Sequence, residues 1–68
     1  VRASLAKFEA DRQEAITVIE LYLNNPVGVP EHSSIVSELT TAITRLADAE
    51  EAIAAIERNF IGTGADDE

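Results

Sequence analysis

The second half of the sequence carries an unbroken heptad pattern of apolar residues, which constrains the fold more than any other feature. Its apolar positions are separated alternately by four and three residues, and they are Ile35, Leu39, Ala42, Leu46, Ala49, Ile53, Ile56 and Phe60. This spacing places all of them on one face of an α-helix. No proline or glycine interrupts the segment, and its Ala, Leu, Ile, Glu and Arg residues favour helix. The pattern predicts a helix over about 33–61.

The first half of the sequence repeats the same alternation with one polar exception. Its positions are Val1, Leu5, Phe8, Arg12, Ala15, Ile19 and Tyr22. Only Arg12 is not apolar, and the segment again lacks proline and glycine. It therefore predicts a second amphipathic helix, over about 2–24. The two apolar faces together are called the seam.

The turn residues are concentrated between these two segments. Asn24 and Asn25 precede Pro26, and Gly28 and Pro30 follow within a few positions, so a turn is expected over about 25–32. Such a short connector makes the two helices antiparallel neighbours. When the seam is paired outward from the turn, the residue numbers of every pair add up to 57 or 58, as an antiparallel register requires. The predicted fold is all-α, an antiparallel two-helix hairpin resembling a coiled coil.

The end of the chain has a different composition. Gly62 and Gly64 are expected to stop the second helix, and the last residues include three carboxylates and no large apolar side chain. A segment of this kind cannot bury enough apolar surface to become ordered. The sequence predicts a hairpin domain over 1–61 and a disordered acidic tail over 62–68.

A hairpin of this size has little core of its own, and several apolar residues lie outside the seam. For chains below about 70 residues the entropy lost on ordering roughly cancels the gain from burial, and oligomerisation is a common remedy. The candidate oligomer contacts are Ile16, Val18, Leu21, Leu23, Val36 and Ile43. We expect a homodimer that forms a four-helix bundle, with a hetero-complex as the alternative.

The composition excludes several classes of function. The 68 residues contain no cysteine, which excludes disulfide scaffolds and thiol catalysis. Thirteen acidic and five basic residues give a net charge of -8, which argues against direct binding to nucleic acid. The apolar runs are far shorter than the ~20 residues that span a bilayer. No signal peptide is expected, because the first residues contain no continuous apolar stretch.

No residue pattern indicates an enzyme, a cofactor or a metal site. His32 is the only imidazole, so it is expected to be a turn or capping residue, with a pH-responsive or ligand role as the alternative. The acidic residues on the second helix, Asp48, Glu50, Glu51 and Glu57, are expected to form a solvated face. Arg12 is interpreted as a register device that pairs with Glu9 or Glu50, rather than as a binding residue.

The turn has the most distinctive sequence in the chain, and loops on rigid scaffolds often carry function. Asn24, Asn25, Pro26, Gly28 and His32 are therefore candidates for a recognition tip. The run 22–36, together with residues 46–50, resembles small acidic helical-hairpin proteins of contractile-tailed marine cyanobacterial phages and related marine metagenomic sequences. This resemblance covers about residues 8–60. It implies a phage or marine metagenomic origin, but no activity. We expect a cytoplasmic location, which would be the host cytoplasm if the protein is phage-encoded.

These observations predict a non-enzymatic structural or protein-interaction module that associates with itself. The alternative is an acidic inhibitor that mimics nucleic acid and binds a basic protein, which would follow from the charge of -8. Its acidic residues would include Glu14, Glu20, Glu38 and Glu51.

Overall fold

The computed structural model describes residues 1–24 and 32–61, and it consists there of two helices that pack against each other. Helix α1 spans Arg2–Asn24, and helix α2 spans His32–Ile56. A short π-helical segment, Glu57–Ile61, continues α2. No strand occurs in these two stretches. The all-helical, two-helix architecture expected from the heptad patterns is therefore confirmed.

Two ion pairs show that the helices are antiparallel. Arg12 contacts Glu50, whereas Glu14, further along α1, contacts Arg45, which comes earlier in α2. Residue numbers therefore increase along α1 in the direction in which they decrease along α2. The N-terminus of α1 and the π-helical segment consequently lie at the same end of the hairpin, called the terminal end below.

Helix α1 begins with a regular α-helical hydrogen bond. The Leu5 backbone N–H donates to the Val1 carbonyl at 2.9 Å, four residues earlier. On the exposed surface of this first part of the helix, Lys7 Nζ donates to Asp11 Oδ1 at 3.2 Å. Such an i, i+4 pair contributes only a few tenths of a kcal/mol, roughly 0.3–0.5, so seam packing matters more for this helix.

The end of the second helix differs from the continuous α-helix predicted to about residue 61. From Glu57 onward the backbone follows the wider π pattern, in which hydrogen bonds join residues five apart. Here the Asn59 side-chain amide Nδ2 donates to the Ala55 carbonyl at 2.8 Å. In an α-helix this carbonyl would accept the backbone N–H of Asn59 itself. The side chain thus binds the acceptor that the α-helical backbone would use.

The centre of the hairpin is made of alanine. Ala15, Ala42 and Ala49 are the buried residues of the described segments, with 1%, 4% and 2% of their surface exposed. All three belong to the seam. Small side chains at a helix–helix contact allow the axes to approach closely, toward the lower end of the ~8–10 Å range. Close approach in turn leaves the larger seam side chains at the edges of the contact.

The predicted turn and tail fall largely outside the described residues. The residues that are not described are 25–31, which make up most of the predicted turn, and 62–68, which make up the whole predicted tail. The side chains of His32 and Ser33 are outside the described part as well.

Candidate interaction surface

The larger seam residues are only partly covered in the single hairpin. Half-buried side chains are found at Leu5, Phe8, Ile19, Tyr22, Ile35, Leu39, Leu46, Ile53 and Ile56. No side chain larger than alanine is buried in the part of the chain whose side chains are described. A core residue of a self-sufficient domain is normally surrounded by six or more others. The seam is thus a contact with open edges on both sides.

Two seam positions are exposed at the terminal end. Phe60 has 69% of its surface exposed and Val1 has 62%, so neither is a packed seam residue. In the paired register Val1 lies opposite Ile56, so no described residue of α1 lies opposite Phe60. Phe60 lies one turn beyond this point, and the π-helical segment also rotates it away from the α-helical spacing.

Arg12 is the polar seam residue, and its guanidinium reaches to the edge of the contact. Its Nε donates to Glu50 Oε2 at 3.2 Å, and both side chains are about half exposed. Of the two carboxylates that the sequence offers, Glu9 and Glu50, the ion pair involves Glu50. Because the pair remains in contact with water, it contributes at most ~1 kcal/mol to stability.

The two interhelical ion pairs lie on opposite sides of the seam. One side contains an open groove of about 490 Å³ lined by Glu9, Arg12, Gln13, Glu50, Ile53, Ala54 and Glu57. The other side contains a smaller groove of about 200 Å³ lined by Phe8, Asp11, Arg45, Asp48 and Ala49. We call these the first side and the second side. Charged residues line both grooves, so neither is an apolar pocket for a small ligand.

The residues predicted to form oligomer contacts differ in the exposed fraction of their surface. Leu21, Leu23, Val36 and Ile43 are exposed, with 58%, 66%, 65% and 54% of their surface accessible. Ile16 and Val18 are half-buried. Helical geometry, at about 100° per residue, places Ile16, Leu23, Val36 and Ile43 on the first side. The same geometry places Leu21 on the back of α1, and Val18 on the second side.

The pairing of these first-side residues across the two helices is not among the predictions from the sequence, although a signal for it exists. Ile16 with Ile43, and Leu23 with Val36, are pairs whose residue numbers both add up to 59. In an antiparallel hairpin such pairs lie beside each other at successive levels along the axis. Applying the register to the flanking positions, and not only to the seam, would have grouped these four residues.

The recognition tip can be placed only in part. Asn24 is the last residue of α1 and is exposed, and His32 is the first residue of α2. Asn25, Pro26 and Gly28 lie outside the described residues, so the structure does not show whether the five candidates come together.

The described residues provide no grouping of side chains for metal chemistry. Among them no cluster of three or more His, Asp or Glu residues is placed to hold an ion. Neither helix has a stretch that is both long and apolar enough to cross a bilayer.

Comparison with protein-family models, with curated proteins and with solved structures finds no match to this chain.

Proposed function

We propose that this chain is a non-enzymatic protein-interaction module, a helical hairpin that associates with a second copy of itself. The observation that supports the proposal is the absence of any buried side chain larger than alanine between residues 1 and 24 and between 34 and 61. Folding must balance a loss of about 1.5 kcal/mol per ordered residue, and apolar burial is the main compensating term. A second hairpin supplies apolar surface that one hairpin lacks.

The assembly that fits these helices is a homodimer with four helices in contact. Helical hairpins pair readily in this way because each presents two parallel ridges of side chains to the other. A two-fold dimer also uses one surface patch twice, so the exposed leucine, valine and isoleucine residues would be covered in both copies. In this arrangement each hairpin keeps its observed two-helix seam and gains additional contacts with the second hairpin.

The net charge of -8 gives less support to the alternative of a nucleic-acid mimic. Three of the described carboxylates, Asp11, Glu14 and Glu50, already contact basic side chains. The others lie on several sides of the two helices rather than in a row. A mimic needs carboxylates that follow the regular spacing of phosphates along one face.

Sedimentation equilibrium over a dilution series tests the proposal. We expect the apparent mass to rise from 7.3 kDa towards twice that value as the concentration increases. The melting temperature should rise with it, because association stabilises the folded state by mass action. A constant mass of 7.3 kDa up to millimolar concentration, with a melting temperature independent of concentration, would contradict self-association.

A further inference from the structure

We draw no further inference here: the strongest candidate, the apolar surface patch of Ile16, Leu23, Val36 and Ile43 on the first side of the hairpin, carries none because nothing in the described part of the chain shows what covers it.

Discussion

Arg12 Nε lies 3.2 Å from Glu50 Oε2, and this contact joins the two helices across 38 residues of sequence. It replaces an apolar contact at one level of an otherwise apolar seam. Arg45 and Glu14 form the second interhelical ion pair, at 3.6 Å, on the other side of the seam. The two pairs together are compatible with a single antiparallel alignment, although each is too exposed to contribute much stability.

Replacing Arg12 by leucine is expected to stabilise the hairpin. Leucine would complete the apolar seam, and the added burial contributes about 1 kcal/mol. For a domain of this size such a gain raises the melting temperature by about 4–8 °C. The control is Arg45→Leu, which removes an ion pair outside the seam and should change stability by less than about 0.5 kcal/mol. Thermal unfolding at one fixed protein concentration measures both, and a lower melting temperature for Arg12→Leu would show that the arginine is needed for stability.

The two ion pairs should show weak coupling in double-mutant cycles. The side chains are 44–62% exposed, so we expect a coupling free energy below about 1 kcal/mol for Arg12 with Glu50 and for Arg45 with Glu14. In 1 M salt both values should fall towards zero because the charges are screened. Urea unfolding of the single and double alanine variants provides these energies. A coupling above about 2 kcal/mol that persists in 1 M salt would indicate that the pair is shielded from water in solution.

Enlarging a seam alanine is expected to be strongly unfavourable. Ala15 is 1% exposed, so the larger side chain of Ala15→Leu can be accommodated only by separating the helices. Overpacking of this kind costs about 1–3 kcal/mol. Ala10→Leu, at an exposed position of the same helix, is the matched control and should be nearly neutral. Equal urea midpoints for the two variants would mean that the seam is less closely packed than the structure shows.

The two phenylalanines should differ in their contribution to stability. Phe8 is half-buried and lines the second-side groove together with Ala49, whereas Phe60 is 69% exposed. We expect Phe8→Ala to cost about 2 kcal/mol or more, and Phe60→Ala to cost less than about 0.5 kcal/mol. Chemical denaturation of both variants measures the difference. A large loss for Phe60→Ala would show that this side chain is covered in solution.

The sequence predicts the helical hairpin because an unbroken 4,3 spacing leaves few alternatives. Positions such as Ile35, Leu39 and Ala42 can share one face only in a helix, and the turn residues require the second helix to return beside the first. The sequence does not predict how completely each seam residue is buried. The degree of burial depends on how closely the two helix axes approach each other. The alanines allow a close approach only where alanines of the two helices lie opposite each other across the seam.

Two other features depend on structure that periodicity does not describe. Phe60 continues the heptad spacing, yet its burial requires a partner on the facing helix, and no described residue of α1 lies opposite it in the paired register. The sidedness of Ile16 and Ile43 depends on the pairing of flanking positions across two helices. A pattern within one helix contains no information about such a pairing, which emerges only when the register between the two helices is applied to the flanking positions.

The alanine centre of the seam also determines how the hairpin responds to heat. Unfolding enthalpy and heat capacity both grow with the apolar surface that becomes exposed, and alanine side chains expose very little. The stability curve of the isolated hairpin is therefore shallow, and its thermal transition is broad rather than sharp. A calorimetric transition that sharpens as the protein is concentrated would reveal how much of the cooperativity belongs to the assembly and how much to the single chain.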